Sequence, residues 1–182
     1  MATRKQLFFP GFEKIVAKDF GGSFITGHAR EQRPISLKRP MHLVLRSSLA
    51  VGDLSFLRPK RRHLIRTLVE KIAREKGVKV YRFANSGNHL HMIVLPHSRR
   101  AFHAFIRTLS GLIARRTLGV ERGRAKGIQF WDALPFTRIL EWGKDYRQAC
   151  GYLRQNVLEA LGFISYRPRR TGGRRPKTKP PD

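Results

Sequence analysis

The sequence predicts an α+β fold, a ferredoxin-like sandwich with helices packed on a mostly antiparallel sheet. Three observations lead there: an apolar stripe at helical spacing through residues 59–76, an alternating segment VKVYRFAN that turns through SGN into HLHMIVLP, and further helical and extended segments beyond it. Together they give the order strand, helix, hairpin, helix, strand, helix. With 182 residues the chain can bury one sizeable core and not comfortably two. One domain is expected over residues 41–163, between an extended basic arm (1–40) and a basic, disordered tail (164–182).

Taken in order, residues 1–40 mix Gly, Pro, charge and scattered aromatics without a lasting period, which is why they read as an arm. The first strand is expected at MHLVLRSS, Met41 to Ser48, following Pro40. In PKRRHLIRTLVEKIAREK, the residues Leu64, Ile65, Leu68, Val69 and Ile72 recur at helical spacing between Pro59 and Gly77, types that open and close helices. The hairpin follows. A second helix, from about Ser98 to Leu118, carries Phe102, Phe105, Ile106, Leu109, Leu112 and Ile113 on one side. Gly119 to Gly127 is a basic turn, IQFWDALPFTRIL an extended segment with a Pro break, and Gly143 to Ala160 a third helix stopped by Gly162.

Lys and Arg number 38 against 12 acids, a formal net charge of +26. Such an excess repels itself unless a polyanion shares the field, so nucleic acid is the first candidate partner. Residues 167–182 hold seven basic residues and one acid, so most of the charge belongs to the body of the chain. No apolar run approaches a membrane span, and neither a lipidation signal nor a sustained N-terminal apolar region stands out. A lone Cys150 excludes a disulfide framework and a multi-cysteine zinc site. A cytoplasmic, nucleoid-associated protein is expected.

Because side chains alternate across a strand, His89 and His91 share one face while Leu90, Met92 and Val94 take the other. The pair is fit to share one metal ion, although His-x-His alone reads more readily as part-exposed strand histidines. A metal needs further ligands, and the chain offers no nearby Cys and no His-x-x-x-His helix. On the third helix, Tyr152 and Asn156 are four residues apart and therefore neighbours on one face. Tyr146 is the rival tyrosine, but its neighbours three and four residues on are Ala149 and Cys150, neither a hard-metal ligand. His97 reads as a turn residue, His103 as solvated or phosphate-facing, and His42 as site-lining or structural.

The NHLHMIVLP strand, the FWD of Phe130 to Asp132, the basic extended segment with Arg138, and KDYRQACGYLRQN from Lys144 to Asn156 occur in this order. In combination they resemble the HUH single-tyrosine transposases, most closely the REP-associated tyrosine transposase branch, from about Met41 to Gly162. The resemblance implies a ferredoxin-like fold of HUH endonuclease type and a divalent metal ion, Mg²⁺ or Mn²⁺, held by His89, His91 and Asn156. It also implies Tyr152 as the nucleophile that forms a 5′-phosphotyrosyl link and frees a 3′-hydroxyl, so that strand transfer proceeds without ATP. Many REP-associated members have Asn-Pro where this chain has Asn156-Val157, a departure at the end of the helix.

The family's substrates imply single-stranded or hairpin DNA as partner. Candidate DNA contacts are Arg99, Arg100, Arg107, Arg115, Arg116, Arg122, Arg124 and Lys126, with Glu121 the only acid between Ser98 and Gly127, together with Arg138. Lys60, Arg61 and Arg62 form a second basic group, and Trp131 and Phe136 are either base-stacking or core residues. The alternative is a non-catalytic basic DNA- or RNA-binding module, which would be free to lose any of His89, His91, Tyr152 and Asn156. Either a monomer or a homodimer is compatible with the sequence.

Overall fold

The computed structural model describes residues 19–22, 32–120 and 127–165. Helix α1 (Pro59–Lys76) starts with proline, whose missing N–H costs nothing there, and stops where Gly77 takes φ 65° and ψ 45°. A Cβ on Gly77 would lie 2.2 Å from His97 Nδ1, the ring nitrogen that hydrogen-bonds the Gly77 carbonyl at 2.8 Å. Gly77→Ala is expected to cost about 1–2 kcal/mol, from left-handed strain and the displaced imidazole. The check is a lower urea midpoint with an unchanged slope.

Helix α2 (Arg99–Leu118) is capped by Ser98, whose hydroxyl accepts from the Ala101 N–H at 3.1 Å, and closes on Gly119 with Arg115 and Arg116 beside its last carbonyls. The third helix, α3, spans Lys144–Ala160. Strands β1 (Asp19–Phe20), β2 (Met41–Arg46), β3 (Val78–Asn85), β4 (His89–Pro96) and β5 (Phe136–Ile139) form one sheet in the order β1-β5-β2-β4-β3. Every pairing among the described residues is antiparallel. With α1 linking β2 to β3 and α2 linking β4 to β5, this is the ferredoxin-like arrangement expected from the sequence. Among the described residues no helix is long and apolar enough to cross a membrane.

Three boundaries differ from the sequence reading. The first strand ends at Arg46: beyond it the Ser47 N–H goes to the Asn88 carbonyl, ahead of β4, and its hydroxyl to the Phe130 carbonyl, while Ser48 donates its N–H to Asp132 Oδ1 at 2.7 Å. Of the segment IQFWDALPFTRIL only Phe136–Ile139 pairs, after Pro135, whose ring nitrogen has no proton to give a ladder. Within the expected arm, Asp19 and Phe20 form β1 on the edge of β5, and Arg33 donates to the Pro135 carbonyl and the Thr137 hydroxyl, each at 2.7 Å. Residues 1–18, 23–31 and 166–182 lie outside the described residues.

The two sheet faces are unlike. Leu43, Leu45, Leu90, Met92 and Val94 meet Ile65, Val69 and Ile72 of α1 and Phe102, Phe105, Leu109 and Ile113 of α2 in the main core, all of them buried. On the opposite face a smaller cluster joins Ala84, Ile93, Leu140 and Leu153, flanked by Tyr81, Tyr146, Cys150, Tyr152 and Val157. Strand alternation therefore turns Leu90, Met92 and Val94 into the main core and His89, His91 and Ile93 toward α3.

Candidate active site

Register brings the site together. On β2 and β4, Val44 faces His91, Arg46 faces His89 and His42 faces Ile93, so His42 is the diagonal neighbour of His91 on the α3 face. Three imidazoles lie nearly parallel in a row, His42 to His91 at 5.5 Å between centroids and 18°, His91 to His89 at 5.8 Å and 9°. Tyr152, brought in by α3, sets its ring edge-on to both His91 (5.7 Å, 80°) and His42 (5.9 Å, 74°). An open cavity of about 490 Å³ is lined by His42, Arg46, His89, His91, Asp132, Leu134, Phe136 and Tyr152 among others.

Hydrogen bonds set the imidazoles. His89 donates from Nδ1 to Asn88 Oδ1 at 2.6 Å, which leaves the lone pair on Nε2. His91 Nδ1 lies 3.3 Å from His42 Nε2, so one ring donates and the other accepts. Burial, with Arg138 adding to it, pushes the His42 pKa down to about 4. The His89 pKa is lowered too, by burial and then Arg46, against an opposing pull from Asp132. Both are thus neutral near pH 7, the form that binds metals or accepts protons. Burial alone would raise the Asp132 carboxyl, but hydrogen bonds from the Ser48 N–H and hydroxyl, with Arg46 and His89 nearby, hold it below its ordinary value. Arg46 Nε lies 3.0 Å from Asp132 Oδ2.

The low His42 pKa makes stability pH-dependent. From 6.5, its ordinary value, down to about 4, the unfolded chain holds a proton that the folded chain refuses, so stability falls as pH drops through that window. Between about pH 7 and pH 4, metal-free wild type is expected to lose about 2–3 kcal/mol more than His42→Phe. Urea unfolding of both proteins at the two pH values measures the difference.

The predicted site residues are not equally gathered. His89, His91 and Tyr152 meet at the cavity, whereas Asn156 is buried, at 6% exposure, does not line it, and has an Nδ2 without a hydrogen-bond partner. Among the described residues no three His, Cys, Asp or Glu side chains are grouped to hold a metal ion, so an ion held by His89 and His91 would need a third protein donor of another type. The orphaned Asn156 amide is of that type, since turning it about its last torsion exchanges Nδ2 for Oδ1, but it stands off the cavity wall. Arg138 pairs with His42 across β2 and β5, on the cavity side of the sheet, and is engaged by Asp145 at 3.1 Å and Asp19 at 3.9 Å.

Arg99, Arg100, Arg107, Arg115 and Arg116 belong to α2, which packs on the other face of the sheet from the cavity. Of these, Arg99 and Arg107 act on His103, whose pKa is lowered by its partial burial and by Arg33, Arg99 and Arg107. Arg122, Arg124 and Lys126 lie outside the described residues. Of the predicted aromatic candidates, Phe136 lines the cavity, while Trp131 packs against the main core and donates its indole N–H to the Ser110 carbonyl. Arg46 and the cavity position of Asp132 were missed by sequence reasoning. Asp132 stood in the FWD stretch, and Arg46 shares the period-2 face of His42, but neither signal says which strand lies beside β4.

The arrangement is a paired-histidine and tyrosine cavity on a ferredoxin-like sandwich, a fold found in a solved transposase structure. One solved structure that shares it is a REP-associated tyrosine transposase bound to a REP hairpin, with a TM-score of 0.57 and 16% identity over 75% of this chain and 76% of that one. Another similar chain, assigned as a transposase from Deinococcus radiodurans R1, has a TM-score of 0.43 and 16% identity over 70% of this chain and 98% of that one. No family model matches the sequence, and neither does any curated protein.

Proposed function

We propose that this protein is a divalent-metal-dependent transposase that nicks single-stranded or hairpin DNA and transfers the strand through a phosphotyrosine on Tyr152. The observation that carries the reading is the Tyr152 ring set edge-on against His91 at one cavity, with His89 stacked alongside. Support for DNA as substrate comes from the charge of +26 and from the shared fold, whose REP-associated representative was solved with a hairpin. His89 and His91 would hold the cation through neutral imidazoles, and Asn156 would complete the protein ligands through its amide oxygen. When bound, Mg²⁺ or Mn²⁺ supplies charge neutralisation at a non-bridging phosphate oxygen.

The chain's own groups do the rest. Asn88 and His42 hold the two imidazole planes in place from behind. His42, kept neutral by its burial, adds no positive charge that would hold a cation off His91. Tyr152 attacks phosphorus with its phenolic oxygen; the P–O3′ bond breaks, the tyrosine proton is lost, and the departing 3′ oxygen takes up a proton to become a hydroxyl. One phosphodiester replaces another, so a later attack by a 3′-hydroxyl on the phosphotyrosine reverses the exchange on a new strand and restores the tyrosine.

The test is incubation of wild-type protein with a library of single-stranded hairpins and Mn²⁺ or Mg²⁺, followed by denaturing gels. A metal-dependent protein–DNA adduct that chelator abolishes is the expected result. DNA binding without adduct at any metal would sink this reading and assign the chain to the non-catalytic nucleic-acid-binding class.

A further inference from the structure

Six residues before Tyr152 on α3, the same face of the sheet carries a second group of aromatic rings that the proposed chemistry does not use. Tyr81, Trp142 and Tyr146 touch pairwise, with centroids 5.6 Å apart for Tyr81 and Trp142, 6.1 Å for Tyr81 and Tyr146, and 5.2 Å for Trp142 and Tyr146. Trp142 is 49% exposed, which for an indole in so polar a chain leaves a large apolar surface facing water. Its plane is fixed: the indole N–H donates to the Lys38 carbonyl at 3.1 Å, and Tyr146 and Tyr81 brace it from the protein side.

The backbone builds this group deliberately. The ladder between β3 and β4 runs Val80 with Val94 and then Arg82 with Ile93, so Tyr81 is the extra residue of a β-bulge. Val80 packs toward the main core, while Tyr81 packs into the smaller cluster with Ile93 and Tyr146. Cations frame the rings. Lys79 Nζ lies 4.9 Å from the Tyr81 centroid, and the Arg82 guanidinium is folded back onto the Tyr81 carbonyl at 2.8 Å. Arg82 also acts electrostatically on the Tyr146 hydroxyl, which places it beside that ring.

We infer that Trp142, braced by Tyr81 and Tyr146, is a stacking platform for an unpaired base of single-stranded DNA, with Lys79 and Arg82 meeting the adjoining phosphates. A rigid exposed aromatic beside cations is the chemistry that holds single strands, because every base has a π-face and every linkage a charge. Duplex DNA, with its bases already stacked, has no such face to offer. The platform is also close to the cavity. Ile93, against which Tyr81 packs, is two residues from His91, about 7 Å along a strand, and Tyr146 is six residues from Tyr152, about 9 Å along a helix. A base held there lies about one or two nucleotides from a phosphate at Tyr152, a placement that rests on the function proposed above.

The experiment measures binding of fluorescein-labelled oligothymidine, oligouridine and a blunt DNA duplex of equal length by anisotropy, without divalent metal, in full-length protein carrying Tyr152→Phe. Adding Trp142→Ala is expected to weaken oligothymidine binding about tenfold while changing duplex binding less than about twofold. Trp142→Phe should keep most of the affinity, and its retention shows that Trp142→Ala acts by losing a ring and not by misfolding. Lys79→Ala should lower the salt dependence of single-strand binding by about one counterion. Unchanged oligothymidine binding in Trp142→Ala, or equal losses on single strand and duplex, would overturn the platform, and tighter Trp142-dependent binding of oligouridine would overturn its assignment to DNA. The two readings fail separately: Trp142-dependent binding with no adduct from wild type leaves the platform and removes the nuclease, and an adduct with Trp142-independent binding does the reverse.

Discussion

Tyr152→Phe is expected to abolish the covalent protein–DNA adduct, a loss on the order of 10⁶-fold in nicking if the residual rate matches that of other enzymes stripped of their nucleophile. The ring remains, so the edge-on contacts with His42 and His91 survive and folding stability should change by less than about 1 kcal/mol. DNA binding should persist. The rival tyrosine provides the control: Tyr146 is engaged with Tyr81, Trp142 and Cys150, away from the imidazoles. Tyr146→Phe should therefore leave the adduct intact. An adduct in Tyr152→Phe that disappears in Tyr146→Phe would exchange their roles and refute the site as drawn.

Phe105→Ala is expected to produce the opposite pattern, a large loss of stability with the chemistry per folded molecule retained. Phe105 is wholly buried on α2 beside Phe102, Leu109 and Ile113, and removing its ring leaves a cavity that the surrounding core only partly closes. The cost should be about 3–5 kcal/mol, a third or more of the stability of many domains this size. Guanidinium unfolding measures it. Since α2 lies on the face of the sheet remote from the histidines, adduct formation at low temperature, corrected for the folded fraction, should stay near wild type. A fall in that corrected activity as steep as the fall in stability would mean that the two faces are not independent.

Much of this was legible before any coordinates. Pro59, Ser98, Gly77 and Gly119 mark helix ends through local steric and hydrogen-bonding rules that depend on a few neighbours only, and the helices begin and end there. The alternation in HLHMIVLP likewise sorts the histidines from the main core, because the strand period is a local property. Harder to read were the ends of the strands. Ser47 and Ser48 look like strand residues, but their partners, Phe130 and Asp132, are more than eighty residues away. Tyr81 shows a related limit: nothing in VKVYRFAN announces a bulge, since the slip is defined only against β4.

The sequence by itself determined the class of fold, the face on which His89 and His91 stand, the helical pairing of Tyr152 with Asn156, and the excess of positive charge, all of them matters of period, spacing and composition. Tertiary structure alone decided which strand lies beside β4, and with it that His42 and Arg46 join the cavity and that Asp132 closes on Arg46. It also decided that α3 covers the histidine face while the arginines of α2 stand on the other, and that Asn156 is buried off the cavity wall. The physical reason is that each of these depends on register and layer order, which are set by burying the apolar faces of distant segments against one another and leave no mark in any one segment.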